Sequence, residues 1–323
     1  MKIIYTEMSE GKYDIIAGVH GHAAELKLLL EKLGYTDTDG YYRHPEGRRA
    51  IFLGNLIDKG KKIRKVLHIV KEMCDHKSAE VILGAAEYQA LCFWEINKSK
   101  GGYLRKHSLK NILQHSKTIK QFEEHEAEWE ECLQWFMNLP LFLEKPGLRI
   151  VHGCWDEKII EAMKDELPAL HLNKVYLHRS VEKEYKEHRH LRTILKGRES
   201  TLPKPYFITG SDGEKKHEVR VRWWMNPKGA TFGEYLLKCP DELKDIPITS
   251  GNLNHDNFYS DPIPVFTGHY YLGEHPKLQT PFVANLNGAI EKDGELVAYR
   301  FNGEKELIAG NFVSVKKVKE TVE

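Results

Sequence analysis

Five short stretches of the chain place polar or very small residues directly after an apolar run. In chain order these residues are Gly18 and His20, Asn55 and Asp58, Ala85, Ala86 and Glu87, His152, and His269. Imidazole and carboxamide groups gathered at one sheet edge are ligands for transition metals, and neighbouring glycines let a ligand approach the backbone closely. A single histidine of this kind more often has a structural role. The residues alone therefore leave a metal site, a phosphate site and a purely structural role open.

The elements around these stretches alternate between strand and helix in the first ninety residues. Hydrophobic periodicity predicts strands at 13–16, 49–53 and 79–83, and helices at 23–33, 63–74 and 87–95. This rhythm is typical of βαβ units with a parallel or mixed sheet. In such sheets functional sites gather at the loops beyond the carboxyl ends of the strands, which is where the polar stretches lie.

The rest of the chain predicts polar helices followed by further strands. The predicted helical segments are 98–139 and 158–192, and the predicted strands are 148–151, 219–224, 265–266, 282–286 and 295–301. The basic run 183–192 is predicted to be a solvated helix face. The Asp293-Gly294 turn before strand 295–301 predicts a hairpin, and the arginines of strand 219–224 are predicted to point outward. With no repeat and no flexible linker, we expect one domain, residues 1–323.

Composition narrows the class of protein. Lysine plus arginine number 48 and aspartate plus glutamate number 47, so a net charge of +1 gives no global field that would capture nucleic acid or an anionic membrane. Trp223 and Trp224 beside basic residues fit a core-backed strand better than a nucleic-acid surface. No apolar run reaches the roughly 18–20 residues of a membrane span, and the polar N-terminus predicts no secretory signal. Five widely spaced cysteines without a CxxC pair predict a reducing, cytoplasmic location.

The order and spacing of the five stretches resemble the motifs of the calcineurin-like metallophosphoesterases. The family pattern is G-D-x-H-G, G-D-x-x-D-R-G, G-N-H-E, a lone histidine after a strand, and G-H near the C-terminal end. The matching stretches here are Ala17-Gly18-Val19-His20-Gly21, Gly54-Asn55-Leu56-Ile57-Asp58-Lys59-Gly60, Gly84-Ala85-Ala86-Glu87, Val151-His152-Gly153 and Gly268-His269-Tyr270. The chain also resembles a bacterial serine/threonine-phosphatase-like branch of the family in two further stretches, His152-x-Cys154-Trp155-Asp156 and Lys196-Gly197-Arg198-Glu199. The resemblance covers about residues 12–315.

The resemblance implies an α/β fold, a calcineurin-like metallophosphoesterase β-sandwich flanked by helices (αββα), with helical cap insertions at about 96–140 and 157–225. It also implies two metal ions, bridged by an aspartate and a hydroxide that attacks phosphorus in line. The histidine of G-N-H-E assists the leaving oxygen. The caps would face the substrate and carry specificity.

Several family positions are occupied here as the resemblance requires. His20 matches a ligand of the first metal, and His152 and His269 match ligands of the second. Asp58 and Glu87 match supporting residues. Lys59 stands for the usual arginine and keeps its charge without bidentate geometry, and Lys59 and Lys196 are the candidate phosphate-binding residues. Tyr271 replaces a second histidine that this branch often lacks.

Other family positions have lost their chemistry. Gly18 stands where the first aspartate ligand would be, and Asn55 replaces the bridging aspartate, so the remaining ligand there is a neutral amide. Ala85 and Ala86 replace the asparagine ligand and the catalytic histidine. The formal charge around the site falls by two negative units, which makes a pair of divalent cations unstable.

These departures predict an impaired or inactive phosphatase that binds a phosphorylated small molecule or a phosphoprotein. The resemblance allows one divalent transition metal at most (Mn, Zn, Fe or Ni) on His20, Asn55, His152 and His269, or none. Three alternatives stay open: a relic pocket, a single-metal site, and catalysis rescued by Asp58, Glu87 or His22. A weak but genuine metal-dependent phosphatase, acting on a phosphoprotein, a nucleotide or a small phosphomonoester, is the competing hypothesis.

Overall fold

The computed structural model describes residues 11–210, 213–249, 258–273 and 276–318. The first eight strands in these residues are β1 (Tyr13–Ala17), β2 (Thr36–Thr38), β3 (Tyr41–Arg43), β4 (Arg49–Phe52), β5 (Ala79–Val81), β6 (Phe142–Lys145), β7 (Leu148–Val151) and β8 (Glu199–Thr201). The later strands are β9 (Ile208–Thr209), β10 (Lys215–Lys216), β11 (Glu218–Arg220), β12 (Val265–Thr267), β13 (Leu278–Thr280), β14 (Val283–Asn285), β15 (Glu295–Phe301) and β16 (Phe312–Lys316).

The helices of the described residues fall between and beside these strands. They are α1 (Ala23–Lys32), α2 (Ile63–Asp75), α3 (Ala85–Trp94), α4 (Leu109–Phe122), α5 (Glu126–Met137), α6 (Glu157–Glu166), α7 (Lys174–Ser180), α8 (Lys186–Lys196) and α9 (Phe232–Tyr235). Helices α4 and α5 lie within 96–140, and α6, α7 and α8 lie within 157–225. Within the described residues, no helix is both long enough and apolar enough to cross a bilayer.

Two five-stranded sheets form the centre of the molecule. The first has the order β16-β15-β1-β4-β5. Strands β1, β4 and β5 are parallel, β15 pairs antiparallel with β1, and the edge strand β16 pairs antiparallel with β15. The second has the order β13-β14-β12-β7-β6, with β14, β12 and β7 parallel and an antiparallel strand at each edge. Mixed sheets of this kind were predicted from the strand and helix rhythm.

The period-two alternation of the strands divides the core into layers. Ile15 and Ile51 of the first sheet share one buried cluster with Ile150 and Phe266 of the second, which places the two sheets face to face. The alternate residues, such as Ile16, pack instead with the buried faces of the helices. The predicted β-sandwich flanked by helices is therefore confirmed.

The carboxyl ends of the parallel strands of both sheets meet at Gly268. A Cβ on this glycine would lie 2.7 Å from the Ala17 Cβ and 3.3 Å from the Leu53 Cβ, so only glycine fits between β1, β4 and β12. The Gly268 amide donates to the carbonyl of His152 at 3.1 Å. This close approach brings the loops after β1, β4, β7 and β12 to one edge of the sandwich.

Two sequence-based predictions about the second half are corrected. The hairpin before strand 295–301 is wrong, because β14 lies in the second sheet while β15 lies in the first and forms its hairpin with β16. The strand predicted at 219–224 ends at Arg220, and Trp223 and Trp224 are buried. Arg222 turns back to donate to the carbonyls of Gly233, Glu234 and Leu236 rather than pointing outward.

The basic run 183–192 has two sides. Lys183, Lys186 and Arg189 are exposed, which confirms a solvated face. Glu187 and His190 are buried on the opposite side of α8. The ends of the expected 1–323 domain, 1–10 and 319–323, lie outside the described residues.

Candidate active site

The loop after β1 carries His20 on a backbone that favours glycine. Gly18 has φ of +66° and His20 has φ of +48°, both in the left-handed region. A Cβ on Gly18 would lie 3.8 Å from the His20 ring and 3.9 Å from Asn287 Oδ1, so the loop has room for a side chain. The aspartate that the resemblance would place there has room, but it would adopt an uncommon φ.

The His20 ring is buried and fixed by a backbone carbonyl. Nδ1 lies 3.1 Å from the carbonyl oxygen of Ile57 and donates to it, because a carbonyl can only accept. The unprotonated nitrogen is then Nε2. Burial lowers the pKa of His20, and the charges of Glu291 and Asp58 oppose that shift only in part.

Asn55 lies in the loop after β4, and its side-chain amide oxygen is hydrogen-bonded to the first turn of helix α3. Its Oδ1 accepts the backbone N–H of Ala86 at 2.9 Å, and its own φ is +56°, a conformation that asparagine tolerates better than most residues. The oxygen that would have to ligate a metal is thus already bonded to an orphan donor of the first helical turn. The neutral amide consequently has a structural partner.

Glu87 holds the same loop from the other side. Its two carboxylate oxygens accept the backbone N–H groups of Asn55 at 2.8 Å and Leu56 at 2.7 Å. Burial raises the pKa of Glu87, while these hydrogen bonds act in the opposite direction. Gly54 and Gly84 touch so closely that a Cβ on Gly54 would lie 2.3 Å from the Gly84 nitrogen. Ala85 and Ala86 follow at once as the buried first residues of α3.

Asp58 is bound to a helix of the first predicted insertion. Its Oδ1 accepts from His115 Nδ1 and from Thr118 Oγ1, each at 2.9 Å and both from α4. The His115 ring is fully buried and packs beside Phe93 and Trp94. His115 was not predicted from the sequence, because nothing in a polar helix marks which histidine will reach a carboxylate 57 positions away.

His152 lies directly after β7, and one nitrogen of its buried ring has no hydrogen-bond partner among the described residues. Its Nδ1 donates to the Leu53 carbonyl at 2.5 Å, so Nε2 carries the lone pair. That Nε2 is buried and has no hydrogen-bond partner among the described residues. Burial lowers the pKa of His152 to about 4, which keeps the ring neutral.

His269, after β12, faces His152. The two ring centroids lie 5.4 Å apart, and the buried Nδ1 of His269 has no partner within the described part of the chain. Burial lowers the pKa of His269 far below its usual range, and the positive charges of Arg220 and Lys196 add to that effect. The following Tyr270 is buried, whereas Tyr271 is half exposed.

The two candidate phosphate-binding lysines occupy different positions. Lys59 is exposed beside the His20 loop, and its charge lowers the pKa of His20. Lys196 is half-buried at the end of α8, on the His269 side of the site. The structure therefore places Lys59 beside His20 and Lys196 beside His269.

The side chains present do not fit a two-ion centre. Among the described residues, no group of three or more His, Cys, Asp or Glu side chains is arranged to hold a metal ion. The residues that the resemblance places at ligand positions are neutral imidazoles and the Asn55 amide, whose oxygen already accepts the Ala86 N–H. Divalent cations placed close together need carboxylates to offset their repulsion, and this site supplies none at those positions.

Two residues near the site were not singled out as ligands from the sequence. Asn287 follows β14, donates from Nδ2 to the His269 carbonyl at 3.2 Å, and directs Oδ1 toward the Ala289 amide and Gly18. Glu291 raises the pKa of His20, and its Oε2 is buried without a partner in the described residues. The Asn287-Gly288 pair after a strand was a usable signal for Asn287, whereas nothing marked Glu291.

Comparisons with known proteins agree with this architecture. No protein-family model matches the chain. A bis(5'-nucleosyl)-tetraphosphatase of Oceanobacillus iheyensis is 28% identical over 140 residues, which are 43% of this chain and 54% of that protein. The corresponding protein of Halalkalibacterium halodurans is 41% identical over 73 residues, 23% of this chain and 30% of that protein. The chain thus spans about half, or less, of the length of these curated relatives.

A solved structure shows the same fold over almost the whole chain. A protein serine/threonine phosphatase from Saccharomyces cerevisiae superposes with a TM-score of 0.52 at 11% identity, covering 98% of this chain and 83% of that one. At 11% identity this likeness shows the fold alone, a helix-flanked sandwich with loops converging at one edge. The ordered motifs resemble those of the calcineurin-like metallophosphoesterases, and the chain departs from that pattern at Gly18, Asn55, Ala85 and Ala86.

Proposed function

We propose that this chain binds a phosphorylated ligand in the family's active-site position and hydrolyses it poorly or not at all. The observation that carries the proposal is the Asn55 amide, whose oxygen accepts the Ala86 N–H at 2.9 Å and so serves helix α3. Gly18, Ala85 and Ala86 remove the neighbouring ligands and the proton donor. Loss of acid–base assistance alone lowers a rate by roughly 10²–10⁴.

For the metal we propose one divalent transition ion at most, Mn, Zn, Fe or Ni, or none. Binding of a single ion is favoured by two ring nitrogens, of His152 and His269, that have no hydrogen-bond partner among the described residues. Neutral imidazoles bind such ions, but they do not offset the repulsion between two of them. His20 would add a third nitrogen from the opposite loop.

For the ligand we propose a nucleotide carrying several phosphates. The names of the curated relatives, bis(5'-nucleosyl)-tetraphosphatases, favour this class over a phosphoprotein. Lys59 and Lys196 would attract its phosphates from the two sides of the site. We further propose a single domain of residues 1–323 whose helices α4 to α8 cap the site, working in a reducing cytoplasm, which its five free cysteines favour.

The test joins elemental analysis with hydrolysis assays on the purified full chain. After loading with Mn²⁺ and desalting, we expect zero or one ion per chain. We expect no turnover of diadenosine tetraphosphate, ATP, p-nitrophenyl phosphate or a phosphopeptide with Mn²⁺, Ni²⁺, Zn²⁺ or Mg²⁺. Two ions per chain would contradict the proposed metal content, and turnover that disappears in His152→Ala would contradict the proposal and establish the competing hypothesis of a weak phosphatase.

A matched pair of variants separates lost ligands from a lost fold. The combined variant Gly18→Asp, Asn55→Asp, Ala85→Asn and Ala86→His restores the family's donors, and we expect it to bind more Mn²⁺ than the parent. Asn55→Asp alone keeps the acceptor for the Ala86 N–H and tolerates the same φ, so we expect parental stability and at most one ion. Equal Mn²⁺ content in the combined variant and the parent would place the defect elsewhere.

A further inference from the structure

We propose that Arg105, Lys196 and Arg220 form a binding site for a linear polyphosphate beside His269. The inference rests on the proposed ligand-binding function and names the ligand chemistry of that site. Its three residues come from the two predicted insertions, 96–140 and 157–225, rather than from the motifs on the strand ends. A chain of two or more phosphates is the shared chemistry, whether it is inorganic or part of a nucleotide.

The end of helix α8, which carries Lys196, contacts the loops of the site so closely that the contact leaves no room for side chains at Gly153 and Gly197. The Gly153 amide, next to His152, donates to the Ile194 carbonyl at 2.6 Å. A Cβ on Gly153 would lie 2.9 Å from the Gly197 nitrogen, and one on Gly197 would lie 1.8 Å from the Tyr270 hydroxyl. The end of α8 is therefore pressed against the loops that carry His152 and His269.

The Lys196 ammonium is half-buried and has no anion of its own. Among the described residues, no hydrogen bond or ion pair reaches Lys196. Burying a charge without a partner is unfavourable unless a counter-charge is supplied. A bound anion would supply that counter-charge.

Arg105 is held in place by neutral groups only. Its guanidinium donates to the amide oxygens of Gln89, Asn111 and Gln114, at 2.5–2.8 Å. Its backbone N–H donates to the Cys92 carbonyl at 2.8 Å, which ties the first insertion to helix α3. Amide oxygens orient a guanidinium without neutralising it, so Arg105 keeps its full charge for a ligand.

Arg220 completes the cluster from strand β11. Its Nε is buried without a hydrogen-bond partner within the described residues, and the nearest carboxylate, Glu199, is 4.0 Å away. Glu199 is shared with Arg192, which also pairs with Glu218 at 2.8 Å. Arg192 is therefore neutralised, while Arg220 is only weakly compensated.

The electrostatics of the site agree with this placement. Burial lowers the pKa of Lys196, and the nearby charges of Arg105 and Arg220 lower it further. Arg220 pairs with Glu199 in the ladder of β11 and β8, and the next amide, of Val221, donates to the Arg198 carbonyl at 3.1 Å, so Arg220 lies close to the end of α8 that carries Lys196. Glu199 at 4.0 Å from Arg220 and the charge of Asp58 acting on Arg105 compensate the three cations only in part, so the cluster matches a ligand with several negative charges better than a single phosphate.

The experiment is calorimetric titration of the full chain with inorganic tripolyphosphate and, separately, with inorganic phosphate, both with a chelator present. We expect tripolyphosphate to bind at least tenfold more tightly than phosphate, and Lys196→Met and Arg220→Gln each to weaken its binding at least tenfold. Lys158→Met, which removes an exposed lysine of helix α6, is the matched control and should leave the affinity unchanged. Thermal melting of every variant verifies its fold.

Either of two results would overturn the site: no tripolyphosphate binding, or equal loss in Lys196→Met and Lys158→Met. These results are distinguishable from failure of the proposed function. Turnover by the parent chain would refute poor hydrolysis and leave a Lys196-dependent polyphosphate site in place. An inactive chain that does not bind tripolyphosphate would refute only the polyphosphate-binding site.

Discussion

At the residue scale the candidate site is lined by buried histidines, and burial lowers the pKa of each of them, which favours the neutral rings. His20 and His152 each donate from Nδ1 to a backbone carbonyl, of Ile57 and Leu53 respectively. Those bonds assign the tautomer and leave Nε2 as the basic nitrogen. Because the rings are buried, protonating them in the folded chain is unfavourable, and acid should therefore weaken the fold.

We predict a loss of stability in acid that His152 causes in large part. Its pKa is about 4 in the folded chain, below the ordinary 6.5, so between these values the unfolded chain binds a proton that the folded chain does not. The contribution of His152 to the free energy of unfolding is therefore fully present above pH 6.5, and it decreases by about 3 kcal/mol as the pH falls to 4. Urea unfolding with a chelator at pH 7.5 and 4.5 measures it.

The control for this prediction compares a buried with an exposed histidine. His152→Asn keeps a donor for the Leu53 carbonyl and should flatten the pH dependence. His68→Asn removes a histidine whose side chain is 57% exposed and should leave the dependence unchanged. An unaltered slope in His152→Asn would contradict the assignment.

At the scale of elements, the helices of the two insertion ranges are joined to the sandwich by specific contacts. Helix α4 is joined through His115 and Thr118 to Asp58, and α8 through Gly153 and Gly197. The second contact depends on close backbone approach, because its residues have no side chains to rearrange. This contact keeps Lys196 beside His269.

We predict that Gly197→Ala destabilises the chain by about 2–3 kcal/mol more than Gly229→Ala. Both glycines have positive φ, +97° and +82°, so backbone strain is similar in the two variants. Only Gly197 faces Tyr270, whereas a Cβ on Gly229 meets nothing within 4 Å. The difference therefore measures overpacking. Chemical denaturation gives both values, and equal losses would show that α8 is not tightly seated.

At the scale of the whole molecule, a buried carboxylate ties the early strands to the late ones. Asp14 in β1 accepts from Arg48 Nε and Nη2, both at 3.1 Å, and from Arg300 Nε in β15 at 3.1 Å. Asp14 is fully buried and Arg48 is 5% exposed. The arrangement joins segments nearly 290 positions apart in one sheet, which supports one cooperative unit.

We predict that Asp14→Asn lowers the free energy of unfolding by about 3 kcal/mol, because it leaves a buried arginine without its counter-charge. The exposed pair of Lys71 and Asp75 is the comparison, and Asp75→Asn should change stability by less than about 1 kcal/mol. Thermal unfolding of both variants should show a single transition. Separate transitions, or a loss in Asp14→Asn as small as in Asp75→Asn, would contradict a shared core.

Much of the local structure was predictable from the sequence because it follows from short-range patterns. The strand at 13–16 and the helix at 63–74 were predicted to within one residue at each end, since apolar periodicity reports which face is buried. The hairpin before β15 was predicted wrongly. A turn signal such as Asp293-Gly294 reports a reversal of the chain and does not say which strand becomes the partner.

The sequence by itself determined the order of the elements, and it predicted, through the resemblance, the departures from the family pattern at Gly18, Asn55, Ala85 and Ala86. Only the tertiary structure decided what the remaining groups do. It joined Asn55 to the Ala86 N–H, Asp58 to His115, and Lys196 to the His269 side of the site. The physical reason is that hydrogen bonds and charge interactions depend on separations of a few ångströms, which residues distant in sequence reach only in the folded chain.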